Sequence, residues 1–353
     1  MAYNGAKPRS ATRKTGIPHL CEVALTIAIC AGAGALIRAE RSIDEQRRDA
    51  DVALASALDQ ARGQFEAGQY VEVINTLKAH AASASNAEAL VWVGRAHLEL
   101  RDYAAAIVDL ERAVALAPDD SETHRWLGHA YGEEADRTRS FSLARRVRIQ
   151  FEEAVRLDRT NVAAHRDLLE FHLQAPWIVG GRDRRAQQEV DALAALDPTA
   201  GRLARGAYLK HHDDAARAAA EYAAVLESTP ANIDDVFEVA DYYEDVGDAA
   251  GLQRAIAVAT AINGSDPRVL YYRGVVEVMK RADVGSAESS LKSYLAVPPR
   301  SDRPSPVKTH EWLGRLYEHV GSRAKAIAEY ARALALAPER KSVKEALRRL
   351  EPR

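Results

Sequence analysis

Three short stripes combine an indole with charged side chains at helical spacing: Trp92, Arg95 and Glu99; Trp126, His129 and Glu133; Trp312, Arg315 and His319. Residues three and seven positions after a helical residue share its face, so each stripe forms one surface. Aromatic anchors beside Arg or His suit peptide recognition, and Arg125 and Arg166 add guanidinium groups. The competing reading packs each indole against the preceding helix pair. A second collection is the Arg-rich set Arg145, Arg146, Arg148, Arg182, Arg184 and Arg185. These could receive an acidic peptide, a phosphate-bearing ligand, or an anionic lipid or polymer. Glu152 stands four residues from both Arg148 and Arg156, so part of this charge reads as a neutralised, solvated face.

Catalytic chemistry finds little support. His211-His212-Asp213-Asp214 carries ligand atoms, but adjacent residues do not face one way on a helix, and the run reads as a solvated turn. His310-Glu311 lacks the His three residues after the Glu that a metalloprotease helix needs. No Gly-x-Ser-x-Gly, phosphate loop or dinucleotide fingerprint occurs. Val179-Gly180-Gly181-Arg182 could cradle a phosphate, yet no strand precedes it and no Lys-Ser or Lys-Thr follows. It reads instead as a loop whose Trp177 and Ile178 tuck under neighbouring helices. The two cysteines, Cys21 and Cys30, lie near the N-terminus, so a disulfide framework or cysteine metal site is excluded from the rest. The expectation is a nonenzymatic chain with no catalytic residue, metal or cofactor.

Helices must position these stripes. Of 353 residues 47% are hydrophobic, mostly Ala and Leu, which suits short, tightly packed helices. Residues 307–340 show the unit most clearly: Leu313, Gly314 and Tyr317 on one helical stripe, Gly321 at a turn, Ala326, Tyr330 and Ala333 on a second stripe, then Pro338. Thr123-His124-Arg125-Trp126-Leu127-Gly128-His129-Ala130-Tyr131 nearly repeats Thr309 to Tyr317. This spacing resembles the tetratricopeptide repeat (TPR), and the resemblance covers about Leu54 to Leu350. It implies an all-α, right-handed superhelical solenoid of antiparallel helix pairs, about eight repeats plus a C-terminal capping helix. It also implies a concave groove lined by the first helices, binding a protein or extended peptide. The family's Trp three residues before Leu-Gly is replaced here by His124 and His310. Its carboxylate clamp does not carry over, because Val91, Arg95, Trp126 and Arg166 stand at the positions concerned.

The expected domains run in order. Residues 1–40 place Lys7, Arg9, Arg13 and Lys14 before an apolar run, as an export signal does, with Ala31-Gly32-Ala33 or Ala33-Gly34-Ala35 as cleavage site. A periplasmic location follows; the alternative is an inner-membrane anchor over Ile17 to Ile37. Residues 41–53 form a polar lead-in and 54–298 form repeats one to seven, with insertions in the turns near 133–142 and 174–183. A Pro-rich connector, 299–306, either bends the superhelix or exposes a protease-sensitive joint. Repeat eight spans 307–340 and the cap 341–353. The net charge of −3 gives no global attraction to nucleic acid.

Overall fold

The computed structural model describes residues 44–82, 86–228 and 230–350. The expected export signal or anchor lies outside the described residues. The chain divides into two units, Met1–Asp59 and Gln60–Arg353. Of the first, residues 44–59 are described, and they are helical. They show no break at the expected end of the lead-in, and the second unit opens with helix α1, described over 60–66. Among the described residues no strand occurs, and no helix is long and apolar enough to cross a membrane.

The second unit is a solenoid of helix pairs. After α1 comes α2 (Tyr70–Ala82), then the pairs α3 (Ala87–Glu99) with α4 (Tyr103–Leu116), and α5 (Ser121–Thr138) with α6 (Phe141–Leu157). The middle pairs are α7 (Val162–Gln174) with α8 (Asp183–Leu196), and α9 (Pro198–His211) with α10 (Ala215–Glu227). The last are α11 (Ile233–Val246) with α12 (Ala249–Asn263), α13 (Pro267–Lys280) with α14 (Val284–Leu295), and α15 (Pro306–His319) with α16 (Arg323–Leu336). A final helix, α17 (Lys341–Leu350), turns Val343 and Ala346 onto the last pair and covers its open face. Asn86, Asp102, Asp120, Ser140 and Asn161 each accept a backbone N–H of the helix they open, so the turns end where orphan donors need a side-chain oxygen.

Five of the pairs close on a glycine of the first helix. Gly94 lies on Leu110, Gly128 on Phe151, Gly206 on Tyr222, Gly274 on Leu291 and Gly314 on Tyr330. A Cβ on Gly314 would stand 2.5 Å from the Tyr330 ring, and one on Gly274 2.6 Å from Leu291 Cγ. Overlap of that size forces helices apart, so the glycine fixes both their separation and the rotation of the first helix. In the α11–α12 pair the roles are exchanged: Gly251 of the second helix receives Tyr243 of the first.

Both insertions differ from their expected form. Residues 133–138 lengthen α5 instead of forming a turn; α5 has 18 residues and α6 has 17, against 13 or 14 in most others. The segment contains no helix breaker, Ala135 is buried, and Glu134 pairs with Arg137 at 2.6 Å. Residues 175–182 do form a loop after Pro176, but Trp177 and Ile178 do not tuck under helices. Trp177 is 74% exposed and Ile178 48%, while Val179 is 2% exposed and supplies the packing. The Val179 and Gly181 amides donate to the Pro176 carbonyl at 3.0 and 3.3 Å, and in this turn Val179, not Trp177 or Ile178, faces inward.

The connector is neither free nor a simple bend. Pro298 packs on Gly68, and the Tyr70 hydroxyl donates to the Pro299 carbonyl at 2.9 Å. Arg300 pairs with Glu66, and the Ser301 amide and hydroxyl donate to the Glu99 carboxylate at 2.9 and 2.7 Å. These contacts clasp the junction of the seventh and eighth pairs to the first two. Replacing Glu99 with Ala and Tyr70 with Phe together should release it. Trypsin cleavage after Arg300 and Arg303 should then accelerate about tenfold, on the order of 1.4 kcal/mol of lost closure; unchanged cleavage would show that the clasp contributes nothing.

Candidate binding groove

The first helices meet one another along an inner face, and their equivalent positions can be counted from the closure glycine or, in α7 and α11, from Leu169 and Ala240, which stand in its place. Two positions before it stand Trp92, Trp126, Asp167, Ala204, Glu238, Tyr272 and Trp312; one position after it stand Arg95, His129, Glu170, Ala207, Asp241, Val275 and Arg315. The Trp stripes therefore lie on this face, and the structure gives the three indoles different surroundings.

At the first pairs the stripes merge. The Arg95 guanidinium lies 4.3 Å from the Trp92 ring centre, 4.2 Å from that of Trp126 and 4.9 Å from that of Phe65. Both indoles are half-buried rather than core. Arg125 reaches Asp167 at 3.4 Å, and the same carboxylate meets His129 Nε2 at 2.8 Å, tying α5 to α7. At the eighth pair the outcome is different. Trp312 is only 9% exposed, and its indole N–H donates to Glu244 at 2.7 Å beside the Tyr271 hydroxyl, also at 2.7 Å. Trp312 thus lies in the packing among α11, α13 and α15 and is no open anchor; Arg315 stacks on it at 4.4 Å and pairs with Glu311.

Between these ends lies a cleft of about 720 Å³ whose lining residues come from α7, α9, α10 and α11. It exists because α9 presents Ala204 and Ala207 where α5 and α15 carry Trp with His or Arg. Its walls hold Asp167, Glu170, Glu238 and Asp241 against Arg166, Lys210 and His211. Arg166 crosses above α9 to Asp235 at 2.8 Å and Glu238 at 3.0 Å, while Lys210 pairs with Asp245 at 2.8 Å. Burial raises the Asp235, Glu238 and Asp241 carboxyls above the ordinary carboxylate range; the Arg166 charge opposes this at the first two and Lys308 at the third. The cleft and this acidic α11 face are the features that the indole stripes do not indicate. Their signal in the sequence is the Ala pair and the run Asp234, Asp235, Glu238, Asp241, Glu244 and Asp245.

The Arg-rich set does not converge on one point. Arg146 pairs with Glu111 at 2.7 Å and Arg148 with Glu152 at 3.0 Å, whereas Arg145 donates to the Ile178 carbonyl and Arg185 contacts Gln188. Arg182, Arg184 and Arg185 are exposed around the Trp177 loop. His212 pairs with Asp183 at 2.6 Å, and among the described residues no group of three or more His, Cys, Asp or Glu side chains could hold a metal ion.

The His residues that stand where the TPR family carries Trp are polar staples. His124 meets Gln150 at 2.7 Å and the Pro118 carbonyl at 3.0 Å, and His310 meets Glu329 at 2.7 Å. His165 Nδ1 lies 2.5 Å from Glu189 and Nε2 3.1 Å from the Arg159 carbonyl. With both ring nitrogens facing acceptors, the imidazolium form is the one that these two bonds favour. The bond to Glu189 holds its pKa above the ordinary imidazole value, against burial. The stabilisation is therefore complete below about pH 6.5, the unfolded value, and is lost as pH rises through the higher folded value. His165→Gln should lower the thermal midpoint more at pH 6 than at pH 9; an equal drop at both would show that the charge plays no part.

The tetratricopeptide-repeat pattern matches residues 87–120 and 307–340. No curated protein sequence matches the chain. Among solved structures, yeast Tom70 is 14% identical, with 84% of this chain and 58% of that chain covered and a TM-score of 0.53. Human IFIT1, in a dimer with m7Gppp-AAAA, is 16% identical, with 75% and 63% covered and a TM-score of 0.52. The chain thus spans less than two thirds of either neighbour, and the likeness is one of fold. Two units of the chain, 87–120 and 307–340, thus match the tetratricopeptide repeat, and the chain has the fold of TPR solenoids.

Proposed function

We propose that the chain is a noncatalytic scaffold or adaptor that holds a protein or extended peptide along the inner face of its first helices. The observation that carries this is the cleft over Ala204 and Ala207, which is preformed, walled by charged groups and large enough for side chains of a bound segment. A rigid stack loses little entropy on binding, so a few contacts suffice for affinity. A photo-crosslinking residue at Gln174 or Ala207 should capture a partner that the same residue at Val108 or Leu116, exposed on the second helix α4, does not. Equal capture from both faces would overturn the groove assignment.

A second reading, contact with an anionic lipid surface or polymer, has one observation in its favour. Trp177 and Ile178 stand exposed at a loop tip rimmed by Arg145, Arg182, Arg184 and Arg185. If it holds, the protein sediments with phosphatidylglycerol-containing vesicles, and Trp177→Ala with Ile178→Ser reduces the bound fraction at least about threefold, roughly 0.65 kcal/mol. Sedimentation unaffected by those changes would remove this reading.

A further inference from the structure

Two departures from the repeat spacing meet at one place. The added length of α5 carries Glu133, Ala135 and Asp136, and the loop after α7 returns beside it. Between them, α6 and α7 lies a pocket of about 320 Å³, near the lower end of the range for small-ligand sites. Its floor is apolar, formed by the buried Val147, Phe151, Phe171 and Val179. The exposed Glu133, Asp136 and Glu170 stand at its mouth with the partly exposed Asp167, and among the described residues no Lys or Arg lines it. Asp167 is engaged by Arg125 and His129. Glu170 accepts the neutral Gln174 amide at 2.8 Å, and among the described residues neither it nor Asp136 makes an ion pair. Gly132 keeps the space open: a Cβ there would meet only Val147, at 3.9 Å, where the Cβ of Gly128 one turn earlier would overlap the Phe151 ring.

We propose that this pocket is a ligand site for a primary ammonium ion carried on a compact apolar body. The apolar floor gains from burying a hydrocarbon or aromatic group, and the size of the pocket limits that group to a few carbons or one ring. An ammonium attached directly to such a group stays at the mouth, where it keeps part of its hydration and meets carboxylates that lack a cation. A long Lys side chain entering head first would instead bury its charge among Phe151, Phe171 and Val179, so the fitting cation carries its charge at the entrance. Carboxylates and phosphates are excluded by the like charge of the mouth. A free small amine and the α-ammonium of a chain beginning with a large apolar residue share this chemistry. The pocket neighbours the cleft of the inner-face reading across α7, whose Asp167, Glu170 and Gln174 border both, but it is filled without any segment lying in that cleft.

The test titrates the full chain calorimetrically at about 50 mM salt, where exposed charges are only partly screened. The probes are 2-phenylethylammonium, 3-methylbutylammonium, neutral 2-phenylethanol, and a Phe-Gly-Ser-Gly amide with its N-terminus free or acetylated. At least one of the two amines or the free-terminus peptide should bind at least about tenfold more tightly than its neutral counterpart. Binding of the amines without the peptide identifies a small-molecule ligand; binding of the free-terminus peptide at least as tightly as the amines identifies a chain terminus. Gly132→Leu places a side chain in the pocket and should abolish binding of every probe, while its thermal midpoint does not fall because Leu favours a helix over Gly. Asp136→Asn with Glu170→Gln should bring the preference for the charged probe below about threefold, and Glu345→Gln on the capping helix should leave it unchanged. Absence of binding by all charged probes, equal binding of charged and neutral probes, or binding that persists in folded Gly132→Leu would overturn the proposal. If Gly132→Leu fails to fold, the charged and neutral probes on the native chain and on the Asp136, Glu170 variant decide. Crosslinking from Ala207, on the other side of α7, does not pass through this pocket, so failure here leaves the groove reading to its own test.

Discussion

The close approach of two helices within each pair governs the rest of this structure. Where Gly94, Gly128, Gly206, Gly274 or Gly314 meets a large side chain of the second helix, the first helix can take only one rotation, and its other faces are assigned with it. The residue two positions before the glycine must then look toward neighbouring first helices. That is why Trp92, Trp126 and Trp312 lie on the inner face, although a Trp two residues earlier, at the place of His124 or His310, would belong to the pair's own core. The vacated core position is filled by His124, His165 and His310, whose ring nitrogens need acceptors and find them on second helices or preceding turns. A buried imidazole without those acceptors would cost more than the indole it replaces.

Variation along the inner face follows from what each helix carries once this rotation is set. Bulk at α3 and α5 gives an aromatic and cationic end. Alanines at α9 give a hollow, and carboxylates along α11 give it acidic walls. At α15 bulk returns, but there Glu244 and Tyr271 close around the indole. One residue type at one repeat position thus forms a half-exposed stacking platform at one end and buried filler at the other. A repeat position alone does not determine a role; the curvature of the neighbouring pairs completes it.

The insertions show the same division. Residues 133–138 have good helix formers and no breaker, so extending α5 satisfies more backbone groups than a turn would. In the 175–182 loop the hydrophobic Trp177 suggested burial, but the smaller Val179 fits the space left beside α6 and α7. Apolar character shows that a side chain gains from burial, whereas the volume available between packed helices selects which one is accommodated.

From the sequence alone the repeat, its helix pairs, the closure glycines and the cap were legible, because all depend on spacings within about one repeat length; whether the Trp stripes faced the groove or the core was not. The cleft was legible in principle from Ala204 and Ala207, since an alanine where other repeats carry Trp must leave space. What tertiary structure decided were contacts between distant residues: Arg166 with Asp235 and Glu238, Trp312 with Glu244, and the connector with Glu66, Tyr70 and Glu99. These depend on how small rotations between successive pairs accumulate over the superhelix. No single repeat encodes that sum, and so the sequence determined the helix pairs and their spacing while the assembled stack decided which side chains of the inner face meet.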